Sequence, residues 1–235
     1  SGNAKKLVKV FKPRFAVFIK SEIWPNYINE LKKENVKFYL VNYVYNKYNS
    51  RIFRVILKKY TKIFTQDENS EQELKKIGVD RALYTGNLKF NRAKIQKKEK
   101  YNNKALINYL GEDKCIVFGS TWERDEEIIF EYICEKINKN VKYIIAPHDV
   151  SEKNISRIKS KLNNKVNLLS DYIYNAQSNI LIVNSIGVLK YLYKFSNISY
   201  VGGGFKKKGL HNILEPFVYG NPVIFGKYFK FSNEA

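Results

Sequence analysis

The sequence predicts an α/β protein built on parallel sheets with helices on both faces. Two observations carry this: short Val/Ile/Phe-rich runs recur along the chain, and amphipathic stretches of ten or more residues separate them. Strands of a parallel sheet are buried on both sides and therefore read as continuous apolar runs. The expected strands are FAVFIK (15–20), VKFYLVNY (36–43), TKIFTQ (61–66), CIVFGS (115–120), VKYIIAP (141–147), NILIVN (179–184) and ISYVGG (198–203).

After the first run, Ser21 or Glu22 is expected to open a helix that Pro25 suits in its first turn, with Trp24 packing at the edge. Glu22 at a strand end is equally a candidate to orient a sugar hydroxyl or accept a proton. Residues 65–70, TQDENS, read as a strand end with helix caps, a structural role. In TGNLKF (85–90), Gly86 permits a turn, and Lys89 is either a surface lysine or a contact for an anion. Between Asn91 and Lys104 every long apolar run disappears, which reads as a linker, with one surface helix plus a loop as the alternative. The expected organisation is a first Rossmann-like unit over 1–92, a linker over 93–112 and a second Rossmann-like unit over 113–235.

Composition bounds the class further. A 235-residue chain with 44% hydrophobic and 15% aromatic content folds, and it can bury one large core or two modest ones. No apolar run approaches the roughly 20 residues needed to span a bilayer. Cys115 and Cys134 stand outside any CxxC pattern and the chain has two histidines, so the spacing signals neither a zinc site nor a disulfide framework; a reducing cytoplasm is expected. The start at Ser1, the absence of methionine and the ending FKFSNEA directly after a site-like motif are read as a piece of a longer protein. The net charge of +20 is nearly all lysine excess and reads two ways, as an anionic partner or as AT-rich codon usage.

The most informative segment is YVGGGFKKKGLHNILEPFVYGNPVIFG (200–226). A strand runs into three glycines and a lysine-rich turn, then into His211 and Asn212 at the expected start of a helix carrying Glu215. Glycines let a backbone approach a phosphate, and a helix start offers free N–H groups to an anion. Gly203, Gly204, His211, Asn212 and Glu215 are therefore candidate ligand residues, with Lys206 and Lys208 as anion contacts and Glu215 as acceptor for ribose hydroxyls. Ser120 and Thr121 are candidates to hold a phosphate at a second helix start, the bland alternative being an ordinary cap with Glu126 and Glu127 facing the dipole. His148 follows Pro147 at a third strand end. Because ligands of open α/β sheets bind beyond the carboxyl ends of strands, these places and SEIWPN are expected to converge on one edge. No Ser-His-Asp order, Walker loop or GxGxxG spacing is present, which disfavours ATP hydrolysis and hydride transfer.

Taken in order, SEIWPN, TQDENSEQELKKIGV with TGNLKF, STWERDEE, APH and VGGGFKKKGLHNILEP resemble the motifs of the 3-deoxy-D-manno-octulosonic acid (Kdo) transferases of lipopolysaccharide synthesis, over most of the chain. The resemblance implies a GT-B fold of two Rossmann-like domains facing a cleft. The acceptor lipid would bind mainly to the first domain and the donor CMP-Kdo mainly to the second. It implies inverting transfer of Kdo to a lipid A precursor at the cytoplasmic face of the bacterial inner membrane, without a metal or cofactor. Glu22 matches the Glu of the family's E-x-W-P-N motif, Ser120 and Thr121 its donor loop, and Gly203, His211, Asn212 and Glu215 its G-G…H-N-x-L-E donor site. The sequence departs from the pattern in four places. Pro147 is followed directly by His148 where the family often has an intervening Arg, Trp122 stands where His is frequent, and Leu210 and Ile213 replace a frequent Gly and Pro. The family's proposed general base, a Glu in a Gly-Glu motif near the amino terminus, has no equivalent here and is expected to precede this sequence.

Two other readings stay open at this level. One is a GT-B relative using another nucleotide sugar. The other is a basic nucleic-acid-binding module in which Tyr and Phe stack on bases; most aromatics lie inside apolar runs, so no nucleic-acid partner is expected.

Overall fold

A computed structural model describes the chain except residues 1, 47–50, 172–177, 206–208, 231 and 233. It divides into two compact units, residues 1–91 and 92–235. Lys206 and Lys208, expected as anion contacts, lie outside the described residues.

The first unit contains α1 (Gly2–Phe11), β1 (Phe15–Ile19), α2 (Pro25–Lys33), β2 (Lys37–Tyr43), α3 (Arg51–Leu57), β3 (Lys62–Thr65), α4 (Glu68–Lys76) and β4 (Ala82–Tyr84). Its sheet is parallel with strand order β1-β2-β3-β4. Pro25 is the first residue of α2, preceded by Trp24 in extended conformation, so the helix begins later than Ser21 or Glu22. Trp24 is 54% exposed and does not pack at an edge. Asp67 caps α4 by accepting from Ser70 N at 2.7 Å. Ile28 and Leu31 of α2, Leu57 of α3 and Leu74 of α4 close over Phe38, Leu40 and Ile63 in one core.

That core occupies one face of the sheet. The strand period of two puts Phe15, Val17 and Ile19 on the other face, and they are 61%, 49% and 57% exposed. The expectation of helices on both faces therefore fails for this unit. The reason is topological: right-handed crossovers that advance steadily in one direction deliver every helix to the same side.

The second unit begins within α5 (Leu88–Lys98), followed by α6 (Lys104–Leu110), β5 (Lys114–Thr121), α7 (Glu123–Lys136), β6 (Val141–Pro147), α8 (Glu152–Lys161), β7 (Asn167–Leu168), β8 (Ile180–Ile182), α9 (Leu189–Leu192), β9 (Ile198–Val201), α10 (Leu214–Phe217) and β10 (Val223–Phe225). The segment 93–112, expected as a linker, is largely the helices α5 and α6. Gln96 is buried and donates to the Lys190 carbonyl at 3.0 Å, and Leu106 and Leu110 join the core. Among the expected strands, all seven form; β4, β7 and β10 are additional short strands at or near the sheet margins.

The second sheet is parallel with order β10-β9-β5-β6-β8-β7. The chain moves outward from β5 to one side as far as β7, then returns and places β9 on the opposite side of β5. This reversal sends α7 and α8 to one face, over Phe118, Tyr143, Ile145 and Ile182, and α6, α9 and α10 to the other, over Val117, Ile144, Leu181 and Val201. Cys115 is buried on the second of these faces, where loss of water pushes its thiol up to about 12; Cys134 on α7 is exposed. Among the described residues, no helix is long and apolar enough to cross a membrane.

Candidate functional site

Strand reversal between β5 and β9 leaves a crevice beyond their carboxyl ends, the position where open α/β sheets bind ligands. β5 ends in Gly119-Ser120-Thr121 and β9 runs into Gly202-Gly203-Gly204. The two ends touch: Gly202 N donates to the Gly119 carbonyl at 2.8 Å, and a Cβ on Gly202 would fall onto the Ser120 carbonyl. Gly203 has φ +89° and closes against the Gly209 carbonyl, so it needs both the left-handed backbone and the absent side chain. Ser120 itself has φ 52°, where β5 shifts register against β6. His148 N donating to the Thr121 carbonyl at 2.9 Å and the Gly202–Gly119 bond hold it there from either side.

The glycine amides are thus largely committed within the protein. Gly203 N donates to Asp125 Oδ2 at 3.0 Å, and the expected open cradle of amides for a phosphate is not what Gly202 and Gly203 form. Gly204 instead lies against Gly226 with no room for a side chain on either.

The start of α7 is similarly filled from within. Asp125 is 1% exposed and accepts from Trp122 N at 2.9 Å, Gly203 N and Tyr200 Oη at 2.6 Å. Thr121 Oγ1 donates to the buried Glu126 at 3.0 Å, whose other oxygen pairs with Arg157. Two buried carboxylates complement the positive end of this 14-residue helix. Thr121, expected among the ligand-binding hydroxyls, has its proton committed to Glu126, and the capping alternative describes this helix start better. Ser120 remains half-buried at the crevice.

Three rings from three elements meet beside it. Trp122 precedes α7, His148 follows β6, and His211 follows the glycine loop, pinned by its N donating to the Gly202 carbonyl at 3.2 Å. Trp122 stacks on His148 with centroids 4.2 Å apart, and His148 lies 4.7 Å from His211. The Trp122 indole Nε1 donates to His211 Nε2 at 2.9 Å. Burial, followed by the neighbouring His148, lowers the pKa of His211, and Asp125 opposes this.

Downstream, Asn212 Nδ2 donates to Glu215 Oε1 at 3.2 Å, and Asn212 Oδ1 accepts from Leu214 N at 3.2 Å. Burial raises the Glu215 pKa, with Asn212, Arg92 and Lys190 pulling the other way. α10 is a single turn, so the helix expected to begin at His211 starts later and supplies no sizeable dipole to an anion. Glu22 and Lys89 belong to the first unit and are exposed. β1 is part of the first sheet, so SEIWPN does not share a sheet edge with the other candidates.

Sequence reasoning missed Asp125 and Tyr200. Asp125 carried a detectable signal, an acidic residue at the third position of a helix, whereas its pairing with Tyr200 crosses 75 positions and has none.

A family model described as 3-Deoxy-D-manno-octulosonic-acid transferase (kdotransferase) matches residues 1–92. The 3-deoxy-D-manno-octulosonic acid transferase of Rickettsia felis is 32% identical over 245 residues, covering 94% of this chain and 50% of that protein. The chain is related to the Kdo transferases. The Aquifex aeolicus Kdo transferase is 31% identical over 228 residues, covering 96% of this chain and 59% of that protein. The chain spans about half the length of these curated relatives. Among solved structures, UDP-GlcNAc 2-epimerase from Neisseria meningitidis bound to UDP-GlcNAc matches this chain with a TM-score of 0.62 at 14% identity, covering 94% of the chain and 61% of the epimerase. At that identity the likeness speaks to fold, Rossmann-like α/β units of the GT-B type.

Proposed function

We propose that this chain carries the donor site of a glycosyltransferase that moves Kdo from CMP-Kdo to a lipid A precursor. The reading is supported by kinship with Kdo transferases and, within the molecule, by one observation. Ser120, His148, His211, Asn212 and Glu215 all come from segments at the carboxyl ends of the second sheet, around its strand reversal. Glu215 is half-buried with one oxygen engaged by Asn212, an arrangement that suits a ribose hydroxyl. The imidazoles and Ser120 offer polar groups to the phosphate and sugar carboxylate of the donor.

In the reaction, an acceptor hydroxyl oxygen attacks the anomeric carbon as the bond from that carbon to the CMP phosphate oxygen breaks. CMP leaves with the electron pair, a carboxylate takes the hydroxyl proton, and configuration inverts. Glu22 is the candidate catalytic carboxylate of this chain and Lys89 a candidate anion contact; no metal or cofactor takes part. The lysine excess meets lipid A phosphates and the anionic cytoplasmic face of the inner membrane, each near-surface lysine contributing about 1 kcal/mol before screening.

Calorimetric titration of CMP and UMP into the chain tests the donor site. CMP is expected to bind saturably and more tightly than UMP. Glu215→Ala is expected to weaken it about tenfold, the order of one hydrogen bond to a charged group. Equal affinity for the two nucleotides would remove the cytidine reading.

A further inference from the structure

Trp122 departs from the resembled pattern, and it does more than fill space. An indole Nε1 has a hydrogen and no lone pair, so it donates and never accepts. Its partner at 2.9 Å, Nε2 of His211, must therefore offer a lone pair. A neutral imidazole with an unprotonated Nε2 carries its proton on Nδ1.

We propose that Trp122 is a positioning residue that locks His211 as the neutral Nδ1–H tautomer, leaving Nδ1–H as the single ring donor available to a ligand.

The indole is well placed to impose this choice. Its backbone N is tied to Asp125, its ring is stacked on His148, and the His148 backbone is tied to the Thr121 carbonyl. His211 is fixed in turn by its own backbone bond to Gly202. Neither ring has to be ordered by an incoming ligand. Protonating His211 would set two N–H groups against each other, so the lock favours the neutral ring. Among the described residues, the titratable groups that act on His211 are Asp125 from α7 and His148 after β6, and Glu215 follows in its own segment. Asp125 favours the imidazolium while His148 and burial oppose it, and the lowered pKa of His211 agrees with the balance.

The functional sense of the lock rests on the donor-site reading. A neutral N–H donor at the crevice bonds an anionic oxygen without becoming a fixed cation that would also hold the departing nucleotide. The lock itself is a property of the ligand-free protein, which keeps the two ideas separable.

The chain has two histidines, so its imidazole 15N spectrum is simple enough to assign with one His148→Gln variant. Long-range 1H–15N correlation spectra of the free protein above neutral pH should show His211 with an unprotonated Nε2. A 15N–15N coupling across the hydrogen bond should join it to Trp122 Nε1. Trp122→Phe should shift His211 toward the Nε2–H form and raise its proton affinity about fivefold, the worth of one neutral hydrogen bond. A proton on Nε2 in the unmodified protein, or an unchanged tautomer in Trp122→Phe, overturns the proposal. The unmodified-protein measurement decides even if the variant fails to fold. Absent CMP binding with the lock intact would remove the donor-site reading and leave the tautomer assignment standing.

Discussion

The two sheets are both parallel, yet one is covered on two faces and the other on one, and the difference is set by the direction of travel between strands. In the first unit the order β1-β2-β3-β4 never reverses. Its helices accumulate over Leu40 and Ile63 and leave Phe15, Val17 and Ile19 open. In the second unit the return from β8 to β9 distributes helices to both faces and creates the crevice where Ser120, His148 and His211 sit. Coverage and site thus have one cause. The strand ends also differ in construction. Beyond β1 and β2 the first unit has an open pocket of about 890 Å³ lined by side chains such as Ser21, Tyr45, Phe53 and Glu73. The second unit closes its strand ends backbone to backbone.

Gly202→Ala breaks that second construction and should have the largest effect. The added methyl meets the Ser120 carbonyl, which is backbone and cannot swing aside, at a cost of roughly 3 kcal/mol, the upper end of ordinary overpacking. Trp24 reports on the first unit and Trp122 on the second, so urea unfolding of single-tryptophan variants reads them separately. The Trp122 transition should fall and the Trp24 transition should stay. Parallel losses in both would show that the units do not respond independently.

A smaller effect, distinguished by its sign, belongs to Glu215. Burial raises its folded pKa above the ordinary 4.5, so the folded state binds the proton more tightly than the unfolded chain. Stability from this group is fully present below the unfolded value and is lost as pH rises through the folded one. Glu215→Gln should remove that loss, and the stability of the variant relative to the parent should grow as pH rises from below 4.5 toward neutrality. A flat difference across the range would mean that the carboxyl is solvated in the folded state.

The smallest effect sharpens the contrast from the first unit. Val17→Thr on the open face should change stability by no more than about 0.5 kcal/mol, as at other exposed positions. A loss several times larger in thermal or urea unfolding would reveal that something covers this face in solution.

Much of this architecture was legible in the residues. Long Val/Ile/Phe runs located the seven main strands; in the second sheet burial on both faces demands such continuous apolar sequence, whereas in the first the same kind of run leaves Phe15, Val17 and Ile19 exposed. β4, β7 and β10 escaped notice because two or three residues at a sheet margin carry little pattern. The segment 93–112 looked like a linker because α5 has almost no apolar stripe; it is held by polar contacts, Gln96 to the Lys190 carbonyl and Glu99 to Lys190 and Tyr191. For the site, the motifs singled out His148 and His211, and the structure brings their rings together, 4.7 Å apart. The commitments of Gly202 and Gly203 were invisible, since each is spent on a partner brought in by tertiary packing, Gly119 at the end of β5 and Asp125 in α7, while Thr121 turns to Glu126 five positions on, within the helix start that the capping alternative described.

The two cysteines give the second unit a built-in clock. Cys134 is exposed and will react with a thiol reagent at once, whereas Cys115 is sealed beneath α6 with its thiolate suppressed. Once Cys134 is blocked, each further labelling event at neutral pH marks a molecule whose second sheet has opened. The slow phase of modification therefore counts openings directly, and a ligand that settles in the crevice should lengthen the interval between them.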